Sequence, residues 1–135
     1  MRIVIDTNLW ISALISKSLH KRIGQIVSNQ DITILGSSTL LEEVKAVSQR
    51  PKIQKYTNIE QVSNLLHLLS NRVELLIPVS NIEICRDPND NFLIALCLDG
   101  NADFLLSGDK DLLVLHSYQG VQILSISDFE VLLKY

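Results

Sequence analysis

The sequence contains few aromatic residues and no long apolar run. Aromatic residues make up 5% of its 135 residues although apolar residues make up 47%, so the core must consist mainly of Leu, Ile and Val. This composition favours parallel sheets covered by helices and argues against a disordered chain. No apolar stretch approaches the roughly 20 residues that cross a bilayer, and Met1-Arg2 leads into a predicted strand rather than a signal peptide. We therefore expect one cytoplasmic domain over residues 1–135 with no membrane contact.

Reactive side chains of several kinds are also scarce. Cys85 and Cys97 show neither a disulfide framework nor the spacing of a thiolate metal site, so we expect free thiols in a reducing compartment. The sequence lacks the Gly-rich loop of P-loop proteins, the G-x-S-x-G nucleophile elbow and the H-E-x-x-H zinc motif. The three histidines are dispersed and receive no role.

Charge is weakly acidic overall but unevenly distributed. The net charge of −3 excludes a uniformly basic nucleic-acid binder. Residues 17–55 nevertheless carry seven basic and three acidic side chains, a local charge of +4 that leaves −7 on the rest of the chain. Taken singly, most of these side chains are typical of solvated helix faces. Together they could guide a polyanion toward an acidic centre.

Short apolar runs alternate with helical patterns along the chain. This alternation favours one mostly parallel sheet with helices on both faces. Two end signals are predicted: Gly100 as the left-handed C′ residue of the helix after Asp90, and Ser127 as the cap of the last helix. The predicted strands lie at 3–5, 32–35, 73–76, 103–106 and 121–124, with a further extended piece at 82–85.

Two carboxylates stand at the head of an apolar helix that begins near Pro88. Asp87 is suited to capping this helix, and that interpretation is as strong as a functional one. Asp90 directly precedes residues that must be buried, and a carboxylate aimed near a core needs a partner.

Asp6, Glu43, Asp90 and Asp109 all lie at the edges of apolar segments. Because right-handed crossovers bring the carboxyl ends of parallel strands to one edge, we interpret the four as one site. Such acids repel one another unless some are protonated or cations neutralise them. Oxygen ligands without clustered His or Cys favour Mg²⁺ or Mn²⁺, and such a centre suits metal-assisted phosphodiester hydrolysis. The simpler alternatives are a helix cap for Asp6, a solvated helix face for Glu43 and a turn residue for Asp109.

Taken together, the motifs resemble those of the PIN-domain (PilT N-terminus) ribonuclease family over nearly the whole chain. The likeness is greatest to bacterial toxins of type II toxin–antitoxin pairs. Any one motif is weak alone, but all four in this order make a specific signal. They are Ile3-Val4-Ile5-Asp6-Thr7-Asn8, Leu41-Glu42-Glu43-Val44 with Arg50-Pro51, Asp87-Pro88-Asn89-Asp90-Asn91, and Leu106-Ser107-Gly108-Asp109-Lys110-Asp111-Leu112.

The resemblance implies an α/β/α sandwich that cleaves RNA endonucleolytically with Mg²⁺ or Mn²⁺, forms homodimers and pairs with an antitoxin protein. By position, it implies that the catalytic and metal-binding acids are Asp6, Glu43, Asp90 and Asp109. Glu42 is the rival of Glu43, which is preferred because the family's acid usually precedes an apolar residue, here Val44.

The resemblance also implies supporting residues. Asn8 and Ser107 match polar residues that often support the family's site. Asp87 and Asp111 are additional acids that could bind metal through water, or could simply cap helices and stay solvated.

Two other functions compete with the ribonuclease. One is a catalytically silent PIN fold that binds RNA or protein. The other is a Mg²⁺-dependent phosphoacceptor signalling domain, which would need paired acids after the first strand and an Asp after the third. The sequence instead has Asp6-Thr7-Asn8 at the first position, and Val73–Leu76 runs to Pro78 without an acid, so the phosphoacceptor is disfavoured.

Overall fold

A mostly parallel sheet forms the centre of the protein in a computed structural model that describes residues 1–134. The strand order is β3-β2-β1-β4-β6-β5, and β5 alone among the described strands runs antiparallel to its neighbour. The chain thus moves outward from β1 in one direction and resumes at β4 on the other side. In such sheets the crevice for ligands opens at the carboxyl ends of the two central strands. The strands are β1 (Arg2–Ile5), β2 (Thr33–Gly36), β3 (Val73–Leu75), β4 (Phe104–Leu106), β5 (Ser117–Tyr118) and β6 (Val121–Leu124).

Helices connect the strands and cover both faces of the sheet. Polar N-caps begin most of them, as in α3, where the Ser37 hydroxyl accepts the Leu40 N–H at 3.1 Å. The predicted order of elements is found, with two additions, α4 and β5. The helices are α1 (Thr7–Ile15), α2 (Lys17–Ser28), α3 (Ser38–Ser48), α4 (Pro51–Gln54), α5 (Ile59–Arg72), α6 (Pro88–Asp99), α7 (Lys110–Leu113) and α8 (Ile126–Leu133).

Alternating side chains of the central strands divide the core into two layers. Ile3 and Ile5 of β1 face one layer, which holds buried residues of α1, α2, α3, α5 and α8. Val4 faces the other layer, which is built mainly by α6 and α7. The structure is therefore a three-layer α/β/α sandwich, as predicted, and its central strands β1, β2 and β4 are buried on both faces.

Helix α5 fastens its layer through two polar side chains. The Arg72 guanidinium donates to the carbonyl oxygens of Val27, Asn29 and Ile32, which lie at and beyond the end of α2. The Gln61 amide donates to the last carbonyls of α1. These bonds satisfy helix-end acceptors that the helices themselves leave unpaired.

Close approach of the backbone explains one glycine in the sheet. A Cβ added to Gly36 at the end of β2 would lie 2.6 Å from Cγ1 of Val73 in the neighbouring strand. The pairing of β2 with β3 therefore requires a residue without a side chain at this position.

Three local predictions are wrong. Residues 82–85 form no strand, and their backbone is held instead by Asn91, whose amide bonds both the N–H and the carbonyl of Cys85. Gly100 has φ −90°, and the left-handed residue is Asn101 at φ 54°. Ser127 lies inside α8, whose cap is Ser125.

The prediction of free thiols is confirmed, since neither Cys85 nor Cys97 forms a disulfide. None of the helices in residues 1–134 is both long and apolar enough to pass through a bilayer.

Candidate active site

Asp6 stands at the crevice where β1 ends. Its carboxylate caps α1, because Oδ1 accepts the N–H of Asn8 at 3.0 Å. Oδ2 accepts the Ser107 hydroxyl at 2.7 Å, and Asp6 is only 2% exposed. Burial raises the pKa of Asp6, the bonds from Ser107 and Asn8 lower it, and the charges of Asp109 and Asp87 raise it further. The net effect is an upward shift of the Asp6 pKa.

Ser107 links Asp6 to the next acid. Its buried hydroxyl donates to Asp6 and accepts the backbone N–H of Asp109 at 3.0 Å. Asp109 in turn caps α7, with Oδ1 accepting the N–H of Asp111 at 2.9 Å. Both proposed identities of Asp109, turn residue and site residue, are thus compatible with its position.

Helix α6 brings two further acids to the crevice. Asp87 caps it by accepting the N–H of Asn89 at 2.9 Å. Asp90, in the first turn, is 7% exposed and lies within the electrostatic reach of Asp109. Burial, and then the charges of Asp109, Asp87 and Asp6, raise the pKa of Asp90 to about 6. Asp90 is therefore the acid whose charge is most strongly opposed by its surroundings.

These acids border a pocket of about 290 Å³, called the acid pocket below. Three of the four predicted acids line it, and the fourth, Asp109, lies near enough for its charge to act on Asp6 and Asp90. Glu43 reaches it from α3 with an exposed side chain, whereas Glu42 lines a separate groove on the outer side of α3. The lining residues are Asp6, Thr7, Asn8, Thr39, Leu40, Glu43, Asp87, Pro88, Asn89, Asp90, Phe92 and Leu93.

The remaining predicted residues occupy the rim or the support of the pocket. Asn8 lines it and is exposed, while Ser107 lies beneath it. Asp111 does not line the pocket and forms an exposed ion pair with Arg86 at 3.0 Å.

Sequence reasoning missed two members of this region. Thr39 was not among the predicted site residues, yet it lines the pocket one turn before Glu43. The i, i+4 spacing places both side chains on one face of α3 and would have indicated it. Arg86, which pairs with Asp111 at the rim, carries no sequence signal beyond its position before Asp87.

The donor set suits a hydrated divalent cation. Within residues 1–134, no three His, Cys, Asp or Glu side chains converge closely enough to enclose a metal ion. Mg²⁺ keeps several of its own waters and is usually bound through one or two carboxylates rather than a protein cage. The acid pocket offers only oxygen ligands, and burial together with the neighbouring negative charges raises the pKa values of Asp6 and Asp90. These residues fit Mg²⁺ or Mn²⁺ and do not fit a closed thiolate or imidazole site.

Comparisons with known proteins follow the same motifs. The model of the PIN domain family matches residues 2–111. An uncharacterized protein of Methanocaldococcus jannaschii is 32% identical over 117 residues, which cover 85% of this chain and 75% of the relative. Two solved structures share the fold at low identity. VapBC2 of Rickettsia felis, bound to a DNA fragment from its promoter, has a TM-score of 0.57 at 18% identity, with 91% of this chain and 97% of that chain covered. The PIN domain of human SMG5 has a TM-score of 0.52 at 12% identity, with 98% of each chain covered.

Proposed function

Because the chain belongs to the PIN domain family, we propose that it is a Mg²⁺- or Mn²⁺-dependent endoribonuclease whose active site is the acid pocket. PIN domains are generally nucleases that use divalent metal ions. The observation that carries the proposal is the convergence of Asp6, Glu43 and Asp90 on one pocket, with Asp109 near enough to act electrostatically on Asp6 and Asp90.

Asp6, Glu43, Asp90 and Asp109 would hold the metal ions. A bound ion supplies an activated water and neutralises charge on the phosphate that is cut. The protein's own part is positioning. Ser107 orients the Asp6 carboxylate by donating to Oδ2, while the helix cap uses Oδ1.

Other residues would act at the edge of the reaction. Asn8 lines the pocket and can donate from its amide to a phosphate or to a metal-bound water. One carboxylate oxygen of Asp87 accepts the capping hydrogen bond of α6, and the other would accept from a water in the pocket. Asp111 forms an ion pair with Arg86 and would act only at the edge of the site.

We further propose that this single domain is a cytoplasmic, homodimeric toxin restrained by an antitoxin protein. The support is the resemblance of the motifs to toxins of type II pairs, together with the shared fold with VapBC2. Expression of the wild-type chain in bacteria should stop growth, and expression of Asp6→Asn should not. Equal growth with both chains would refute the toxin role without touching the nuclease.

The direct test is cleavage of total RNA by purified protein with Mn²⁺, Mg²⁺ or EDTA. Asp6→Asn is the matched variant, because its amide oxygen can still cap α1 at the place of Oδ1, while its NH2 group at the place of Oδ2 can donate to the Ser107 hydroxyl. We expect cleavage that requires metal and is lost in the variant by at least about a hundredfold. Metal binding without cleavage of any RNA would favour a silent binding fold, and cleavage that survives in EDTA would refute the metal mechanism.

A further inference from the structure

A second cavity lies where α3, α4 and α5 meet, away from the acid pocket. It has a volume of about 620 Å³ and is called the α3–α5 groove below. Its apolar floor is formed by Val62 and Leu66, with Ile59, which is 90% exposed, at its edge, and most of the other lining side chains are amides and hydroxyls. The lining residues are Ser48, Gln49, Gln54, Thr57, Asn58, Ile59, Val62, Ser63 and Leu66.

One wall of the groove has an unpartnered polar atom. Thr57 Oγ1 is buried and has no hydrogen-bond partner within residues 1–134. A buried hydroxyl in that state costs free energy that a ligand could recover by bonding to it. The neighbouring amides of Gln49 and Gln54 each offer both donors and an acceptor. An apolar floor with such walls matches a nucleobase, whose faces are apolar and whose edges carry donors and acceptors.

The segment that runs from α3 through α4 to the start of α5, along one side of the groove, is basic. Residues 44–59 contain four cations and no acid, in a protein whose remaining residues sum to −7. All four cations are exposed, and none forms an ion pair with the part of the chain that the structure describes. Tyr56, which lies in this segment next to the groove residue Thr57, is 67% exposed. A basic track with an exposed aromatic ring is the usual construction for binding single-stranded nucleic acid. The cations are Lys45, Arg50, Lys52 and Lys55.

Helix α3 connects the groove to the acid pocket. Its N-terminal half contributes Thr39 and Glu43 to the pocket, and its C-terminal end contributes Ser48 and Gln49 to the groove. Ser48 lies five positions after Glu43, which corresponds to about 8 Å along the helix at the usual rise per residue. One extended RNA strand is long enough to occupy both.

We propose that the α3–α5 groove binds an unstacked base of a single-stranded RNA substrate, while Arg50, Lys52 and Lys55 contact its phosphates and Tyr56 stacks on a neighbouring base. The groove is then the specificity site that sets which base lies a few nucleotides from the cut. This inference rests on the proposed ribonuclease function, because it takes RNA as the substrate.

Binding can be measured separately from cleavage. Asp6→Asn protein in EDTA is titrated with short fluorescent single-stranded RNAs, one homopolymer for each base, and anisotropy is followed at several salt concentrations. We expect one homopolymer to bind at least about tenfold more tightly than the others. In the same background, Thr57→Val should remove that preference without lowering the melting temperature, since the hydroxyl makes no bond that holds the fold.

The phosphate and stacking contacts have their own signatures. Tyr56→Ala should weaken binding of every homopolymer by about tenfold. The Lys52→Ala/Lys55→Ala double variant should reduce the slope of log affinity against log salt by about 1.4 in magnitude, about 0.7 for each cation. Lys17→Ala/Lys21→Ala is the matched control, because it removes two exposed cations from α2 and should leave the slope unchanged.

The outcomes separate this inference from the nuclease proposal. RNA affinity and base preference that stay the same in all groove variants overturn the inference, even if the wild type cleaves RNA. Binding that depends on the groove, with no cleavage under any metal, overturns the nuclease proposal and leaves the groove as an RNA site. Equal loss of salt slope in the Lys17→Ala/Lys21→Ala control would also overturn the inference, since it would mean that the cations act without regard to place.

Discussion

Replacing Asp90 by Asn should make the metal-free protein more stable. Asp90 is 7% exposed and faces the charges of Asp109, Asp87 and Asp6, which with burial raise its pKa from 3.8 to about 6. A difference of about 2 in pKa corresponds to about 3 kcal/mol of opposition to the ionised form. Relaxation and water entry reduce this ceiling, so we expect a gain of about 1–2 kcal/mol at pH 8, or about 4–8 °C in melting temperature.

The sign of the pH dependence follows from proton binding. The folded pKa of Asp90 lies above the unfolded one, so between pH 3.8 and about 6 the folded protein binds more protons than the unfolded chain. Wild-type stability should therefore decline as pH rises through that interval. The Asp90→Asn variant lacks this group, and its advantage should be small near pH 4 and complete above pH 7.

Urea denaturation in EDTA at several pH values measures both the stability gain of Asp90→Asn and its dependence on pH. Asp99→Asn on the same helix is the contrasting variant, because Asp99 accepts the N–H groups of Val79 and Ser80 and its pKa is lowered. Its carboxylate stabilises the fold above the unfolded pKa, and that contribution is lost as pH falls through the lower folded pKa. Asp99→Asn should therefore destabilise at pH 7 and approach the wild type in acid.

Divalent metal should make the wild type more stable than Asp90→Asn, the reverse of their order in metal-free buffer. A cation that binds the folded state raises stability by mass action, by about 2.7 kcal/mol at a hundred times its dissociation constant. The wild type should gain this with Mn²⁺ or Mg²⁺, and Asp90→Asn should gain much less. A variant that is less stable than the wild type in EDTA at pH 8 would refute the reasoning, because Asp90 would then be holding the fold.

Three further changes test the support of the site and the fold. Ser107→Ala removes the hydroxyl that donates to Asp6, and should cost about 1–3 kcal/mol of stability and lower the cleavage rate, measured by denaturation and single-turnover assays; unchanged kinetics would mean that Asp6 needs no such positioning. Gly36→Ala would press a Cβ against Val73 at 2.6 Å and should cost about 1–3 kcal/mol in urea denaturation; a neutral result would mean that β3 shifts freely. Arg72→Ala should expose the end of α2, seen as faster amide exchange there, since the bonds to three carbonyls are lost.

Much of the fold could be predicted from the sequence because the local signals agree with one another. The β-branched run before Asp6 predicts the strand at 3–5, which is found within β1, and the helical spacing of Leu9, Trp10, Ala13 and Leu14 matches the buried face of α1. The meeting of Asp6 and Asp109 followed from one rule, that parallel strands end at a common edge. The sequence does not show which acids line the pocket and which lie behind the lining residues. The position of Asp109 beside the pocket rather than in its lining could therefore not be predicted.

The errors arose where a signal was ambiguous. Strand β5 has two residues, and the turn to β6 places Gln119 at φ 47° and Gly120 at φ 89°, a pattern of tight hairpins for which glutamine is an unusual residue. Ser125 and Ser127 are equivalent as caps by residue type. Asp128, three residues after Ser125, donates its N–H to the Ser125 hydroxyl. An acid at this spacing would have favoured the observed start of α8.

Three aspartates of the site, Asp6, Asp87 and Asp109, each cap a helix through Oδ1. The fold depends on an oxygen at these positions, whereas the proposed chemistry depends on its negative charge. Asparagine satisfies the first demand and fails the second, at small cost to stability. A descendant of this chain could therefore lose catalysis by single-base changes and remain well folded. Silent relatives that keep the helices and carry asparagine at these three places are the expected product of relaxed selection.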